Sequence, residues 1–486
     1  MQALFSRSWR LWYRFLRTDM SATFRLAYPI AIGQVGIVLL GITDTIMVGQ
    51  LGKVPLAAAG FANTIFFIPT VVGIGIMSVL SPLVATAKTS QNEIETQDLF
   101  KSALLIALFT GILITIALCI AGYYIDFFGQ PAEVNREAEE YIYIIAISAI
   151  PMLFYVAMRS YFDGLSFIKA GLYATYVALL LNVLLNWLLI YGHWGFPAWG
   201  LFGAGIATLI ARVAMVVVMF YFVSFAPKIK HWIGNFKRPY NRSLTFKLLR
   251  LGIPAGLQYL FEMGAFSMAA LMMGWLGTNT SAAHQIAINL AATTYLIAAS
   301  VSSAGGIRVG NALGENDYSK IFRAGTTAFL INILFMFFAC LVFVFGRDFL
   351  INLYIQDPTV HAIAAELLII AAFFQLSDGI QVVGLGLTRG LEDVNVPTLI
   401  TLISYWVVGI PLAYVLGFYW QLSGWGIWLA LLIALTISAT MLTMRFYMKL
   451  NAIWRKAIEN KVAEKPTVEM PEKTKNWTEE VITTPS

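Results

Sequence analysis

Three carboxylates stand inside long apolar runs of this 486-residue chain: Asp44 in "GITDTIMVG", Glu262 in "YLFEMGAF" and Asp378 in "FFQLSDGIQVVGLGLTRG". A charge near the centre of a membrane-crossing helix costs roughly 2.5–3.5 kcal/mol on insertion scales. A buried carboxylate without a fixed counter-charge must bind a cation, take up a proton or face water. All three are the chemistry of ion or solute movement. In "LNVLLNWLLIYG", Asn182 and Asn186 are spaced i, i+4 and share one helix face. Counting in from the ends of the runs places Asp44, Asn182, Asn186 and Thr208 at similar depth. One carboxylate, two amides and a hydroxyl offer the oxygen ligands that a hard monovalent cation or hydronium accepts. The same asparagines serve equally well as bridges between helices.

A second set surrounds the later acids. Glu262 and Asp378 each lie about midway along a run and form a second candidate cation or proton site. Gln285 and Asn289 in "AAHQIAIN" again sit at i, i+4, either completing a polar cluster or tying helices together. Phe374, four residues before Asp378, is placed to lay its ring against a bound cation, although packing is the simpler reading. His284, next to Gln285, is read as a helix-end hydrogen bond in preference to a proton relay. No histidine shows metal-ligand spacing, and Cys119 and Cys340 read as small apolar packing groups.

The elements that must position these residues follow from composition. The chain is 59% hydrophobic and 12% charged, with mean hydropathy +0.75. Soluble domains carry about 25% charged residues, so this is an all-α integral membrane protein. The net charge of +6 is too small for its length to suggest nucleic acid as a partner. Twelve spans are expected, near 26–48, 55–87, 101–122, 138–160, 169–192, 200–226, 248–275, 281–307, 322–346, 361–388, 396–418 and 424–448. Pro69 and Pro82 should bend the long second span, while Pro29 and Pro254 should kink spans one and seven.

Segment 1–25, rich in Arg and aromatics, should lie as a basic amphipathic stretch on the membrane's inner surface, 227–247 should be a cytoplasmic linker, and 451–486 reads as a polar, disordered cytoplasmic tail. No removable signal peptide is expected. With both termini cytoplasmic, the outer connections hold only Lys53, Arg136 and Arg347 of the 32 Lys and Arg. Arg212 alone falls deep within a span, so the spans hold mainly acids.

Residues 26–226 and 248–450 form similar halves. "LAYP" (26–29) matches "LGIP" (251–254), "QLG" (50–52) meets "WLG" (275–277), and "GAGI" (203–206) meets "GWGI" (424–427). Each half has six spans, so the repeat is parallel, and two six-helix lobes should flank a central cleft. The carboxylates are not duplicated: Asp44 pairs with Ala269, Glu262 with Ile37 and Asp378 with Met152. The lobes should therefore be chemically specialised.

The motifs "LAYPIAIGQ", "TDTIMVGQLG", "LNVLLNWLLIYG", "GAGIAT", "AAHQIAIN", "GGIRVGNALGE" and "SDGIQVVGLGLTRG" resemble the multidrug and toxic compound extrusion (MATE) family, in particular its NorM-type branch. The resemblance implies a V-shaped cleft and export of cationic or amphipathic drugs in exchange for inward Na+ or H+. It maps cation sites onto Asp44, Asn182, Asn186 and Thr208, and onto Glu262 and Asp378, with Gln285 and Asn289 as polar neighbours. Some relatives carry an aspartate where this chain has Asn186, which lowers the charge of the first site. The Glu262–Asp378 pair is associated with Na+-coupled members, though such a pair can equally exchange a proton.

No Walker A pattern, H-E-x-x-H or serine elbow is present, so neither an ATP motor nor an enzyme is expected, and no cofactor beyond the coupling ion. A lipid-linked oligosaccharide flippase of related architecture is the alternative, and it should need a basic cavity. The expected setting is a bacterial inner membrane, with a monomer in contact with lipid.

Overall fold

The computed structural model describes residues 2–233 and 241–463. The chain forms α1 (Gln2–Gly49), α2 (Lys53–Ser78), α3 (Leu80–Thr89), α4 (Glu93–Tyr123), α5 (Ala132–Ile147), α6 (Ala149–Gly164), α7 (Lys169–Tyr191) and α8 (Gly200–Phe225). A short α9 (Pro227–Ile233) leads into the second half. There follow α10 (Arg242–Trp275), α11 (Thr278–Gly314), α12 (Tyr318–Phe345), α13 (Arg347–Asn352), α14 (Pro358–Gly390), α15 (Asn395–Leu402), α16 (Ile410–Tyr414) and α17 (Ser423–Ala463). Wider π-helical turns flank α16, at Ile403–Gly409 and Val415–Tyr419. The described residues contain no strand. Backbone groups in hydrocarbon have no water to bond, and helices satisfy them internally.

Four helices start on sequence-encoded caps. Asn92, Asn241, Asp317 and Asp357 each accept a hydrogen bond from a first-turn backbone amide. Pro explains two interruptions with one mechanism. The α2–α3 break falls at Val79, three residues before Pro82, and the α5–α6 break at Ser148, three before Pro151. A proline has no N–H, and its ring crowds the carbonyl four residues earlier. Those carbonyls belong to Ser78 and Ile147, the last residues of α2 and α5. Pro82 thus bends the second span as expected, whereas Pro29, Pro69 and Pro254 sit within uninterrupted helices.

Eleven helical segments among the described residues are long and apolar enough to cross a membrane. The remaining expected span, the 34-residue α10, is long enough but falls short on apolarity. Its deficit comes from Gln258, Tyr259 and Glu262, residues of the candidate site itself. A single helix, α1, covers both the basic segment 1–25 and the first span, and the side chains of residues 1–16 lie outside those described. Residues 234–240 of the expected linker and 464–486 of the expected tail also lie outside the described residues.

The buried apolar side chains separate into two principal cores. One runs from Val48 to Ala255, including Phe100, Tyr161 and Phe162, and is joined by Val394; the other runs from Ala265 to Leu435, including Phe374, Tyr405 and Trp428. These are the two lobes. They meet at the end carrying the basic connections. There the Thr86 hydroxyl donates to Gly310 O (3.0 Å) and the Thr89 hydroxyl to Asn311 O (2.9 Å). Glycine is required for this approach, since a Cβ on Gly310 would lie 2.6 Å from Pro82 O. Small residues let helix backbones close on each other in this way. An Arg308–Asp19 ion pair, with Arg308 also donating to the Thr23 hydroxyl (2.6 Å), reinforces the closure.

Candidate cation and substrate site

Above that closure the lobes enclose a cavity of about 860 Å³. Its wall includes Asp44, Thr208, Arg212, Arg159 and Asp163 from the first lobe, and Tyr259 and Arg389 from the second.

The first-lobe cluster assembles as the spacing predicted. Asn186 Nδ2 donates to Asp44 Oδ1 (2.5 Å) and to Asn182 Oδ1 (3.2 Å). The Thr208 hydroxyl donates to Asp44 Oδ2 (3.1 Å). One turn of α7 sets the two asparagines in line, and α1 and α8 bring Asp44 and Thr208 to them. Asn186 Oδ1 is buried with no hydrogen-bond partner among the described residues, leaving an oxygen next to the carboxylate for a cation.

The second cluster is more deeply enclosed, with Glu262 at 6% and Asp378 at 4% exposure. Glu262 Oε1 accepts from Gln381 Nε2 (3.3 Å), and Gln381 Oε1 accepts from the Tyr405 hydroxyl (2.8 Å). Gln381 follows Asp378 by three residues on α14, so its bond to Glu262 brings both acids to one stretch of that helix. Such a pair fits one monovalent cation or a proton, which would offset the charge of neighbouring carboxylates. Among the described residues there is no group of three or more His, Cys, Asp or Glu suited to a multi-ligand metal ion. None of Asp44, Glu262 and Asp378 forms an ion pair among the described residues.

The other expected site residues fall elsewhere. Gln285 and Asn289 are exposed and bond to each other (3.5 Å), with no hydrogen bond to either acid. The amides that do line the second cluster are Gln381 and Gln258, and Gln258 Oε1 accepts from Arg389 Nη2 (2.8 Å). Phe374 is core: it packs edge-on against Phe266 (6.0 Å between centroids) and Trp428 (5.5 Å), as the packing reading held. His284 is buried and its Nδ1 accepts from the Trp428 indole N–H (3.2 Å), a fixed structural contact.

The reading of the spans as mainly acidic, with Arg212 the exception, needs correction. Arg159 and Arg389 also line the cavity, because α6 continues to Gly164 and α14 to Gly390. Arg159 Nη1 reaches Gln34 Oε1 (3.4 Å), and its Nε lies 3.8 Å from Asp163 Oδ2. Arg389 stacks on the Tyr259 ring (5.0 Å). The wall therefore carries three arginines beside two aspartates. The signal that would have found them is helical register: Arg389 lies three turns beyond Asp378, on the same face of α14.

The fold and site define a polytopic membrane protein of two helical lobes around a charged central cavity. The chain belongs to the MatE family, whose pattern matches residues 29–188 and 254–415. The two matches start at the paired prolines of the internal repeat. The chain is 33% identical over 440 residues to a probable multidrug resistance protein NorM of Mesorhizobium japonicum, covering 88% of this chain and 94% of that one. It is 31% identical over 427 residues to the multidrug resistance protein NorM of Aliivibrio fischeri, covering 87% and 93%. A crystal structure of a MATE protein in the bent conformation superposes with TM-score 0.84 at 20% identity, covering 92% of this chain and 98% of the other.

Proposed function

We propose that this protein is a secondary antiporter that exports cationic and amphipathic drugs in exchange for inward Na+ or H+. It would act as a monomer in the cell inner membrane with both termini cytoplasmic. The observation that carries the reading is the set of three span-embedded carboxylates that form no ion pair among the described residues, arranged around and behind one cavity. The NorM-named relatives, similar along nearly their whole length, support drugs as the cargo. The chain's family is one of transporters, not of enzymes.

Asp44 presents its charge to the cavity and receives the positive end of a substrate. Glu262 and Asp378 hold the coupling cation or proton. Tyr259, one turn before Glu262, and Arg389, three turns after Asp378, both reach the cavity wall. A cation on the acid pair weakens the pull of the acids on Arg389, and that change is delivered to the wall. Moving one charge down 100 mV releases roughly 2.3 kcal/mol, close to a fiftyfold drug gradient at about 1.4 kcal/mol per decade.

The three arginines are a feature that a lipid-linked oligosaccharide flippase would share. The NorM-named relatives weigh for efflux over that alternative. The test is ethidium transport in proteoliposomes with Na+ and pH gradients imposed separately. One of the two gradients should drive accumulation against the dye gradient. Transport indifferent to both gradients overturns the proposal.

A further inference from the structure

Arg212 is the one cavity arginine held by a structural irregularity. The α5–α6 break set by Pro151 falls at Ser148, a buried residue whose hydroxyl donates to Ile145 O (2.6 Å) and so leaves its lone pairs free to accept. Arg212 Nη1 donates to that oxygen (2.5 Å). The guanidinium face lies on the Phe66 ring, 4.7 Å from its centroid. Hydrogen bond and ring together fix the fork in one orientation, with the side chain on the cavity wall. Its other N–H donors make no hydrogen bond among the described residues. Arg212 lies one turn beyond Thr208, whose hydroxyl is bonded to Asp44, so both charges belong to the same stretch of the cavity wall. They do not form an ion pair. A guanidinium so fixed matches a planar carboxylate geometrically.

We propose that Arg212 is a specificity-determining residue of the first-lobe site: a tethered counter-charge that disfavours simple monocations at Asp44 and accepts the carboxylate of dipolar compounds that carry an anionic group beside their cation. This rests on the transport reading above and adds a rule of selection to it. A monocation at Asp44 meets the field of Arg212 unrelieved. A dipolar compound satisfies both groups at once.

Rhodamine 110, with a free carboxylate, and rhodamine 123, its methyl ester, differ by that one anionic group. Their transport by the full-length protein in proteoliposomes tests the rule. In Arg212→Gln, the KM for the ester should fall and that for the acid should rise, each by about tenfold, the scale of one neighbouring charge in a partly hydrated cavity. Arg212→Lys keeps the charge but not the fork, so it should hold the ester KM and raise the acid KM. Ser148→Ala frees the fork without removing charge and should raise only the acid KM, by about threefold. This variant carries the test if Arg212→Gln fails to fold, as read by thermal unfolding in detergent. Equal shifts for both probes, or none, overturn the assignment of Arg212. Failure of the wild-type protein to move either probe overturns instead the transport reading on which it rests.

Discussion

Asp44→Asn separates the charge of the first cluster from its shape. The amide is isosteric with the carboxylate. Its oxygen can still accept from Asn186 Nδ2, now 2.5 Å from Asp44 Oδ1, and the Thr208 hydroxyl can rotate to accept from the new NH2. Two charge-assisted hydrogen bonds become neutral ones, a loss of about 1 kcal/mol each. A substrate ammonium about 4 Å from the carboxylate gains about 4 kcal/mol at an effective dielectric of about 20. At about 1.4 kcal/mol per decade, neutralisation should weaken binding of a monocation nearly a thousandfold. Water in the cavity and the nearby Arg212 reduce this, so a loss of at least thirtyfold is expected. Fluorescence titration of ethidium on purified protein reads the affinity, and thermal unfolding checks that the fold persists. An affinity within threefold of wild type, in a folded variant, refutes the placement of the substrate charge at Asp44.

Other consequences follow from particular contacts. Trp428→Phe removes the indole N–H from His284 Nδ1 and leaves a buried acceptor unpaired; stability should fall by about 1–3 kcal/mol in thermal or denaturant unfolding. Gly310→Ala places a Cβ 2.6 Å from Pro82 O and should open the lobe closure. A thiol reagent added on the side of the basic connections should then label a cysteine introduced at Ser81, on the cavity wall, faster than in the parent. At the α14 cap, the Thr359 hydroxyl and the Val360 and Thr359 amides hold the Asp357 carboxyl below its usual range. Its cap stabilisation is therefore present above about pH 3.9, the unfolded value, and is lost as pH falls through the lower folded value. Asp357→Ala should lower the melting temperature at neutral pH and narrow its difference from wild type in strong acid.

How much was legible in the sequence depended on whether a local rule carried the information. The first cluster was readable because Asn182 and Asn186 lie on one face by spacing alone, and because the depth of Asp44 and Thr208 can be counted from the span ends. The second was half readable. Glu262 and Asp378 stand out as acids in apolar runs, but their amide neighbours depend on how α10, α14 and the turn carrying Tyr405 pack. That packing chose Gln258 and Gln381 over Gln285 and Asn289. The arginines were misplaced for a different reason. Counting Lys and Arg to orient the spans assigns those near a span end to the surface. Arg159 and Arg389 sit at such ends, yet the helices run on, and the water-accessible cavity between the lobes receives their charge. The polar content of α10 shows the same conflict, since the site residues erode the apolar signal of the helix that carries them.

The central claim is that a coupling cation on Glu262 and Asp378 and a substrate at Asp44 displace each other. Its most direct measurement is displacement of ethidium bound to the purified protein during titration with NaCl at fixed ionic strength, and separately with acid. One of the two titrations should release the dye from the wild-type protein; the Glu262→Gln, Asp378→Asn double variant should lose release by NaCl and keep only the acid release that protonation of Asp44 itself produces. Release that is identical in both proteins, or dye binding indifferent to both ions in the wild type, contradicts the account.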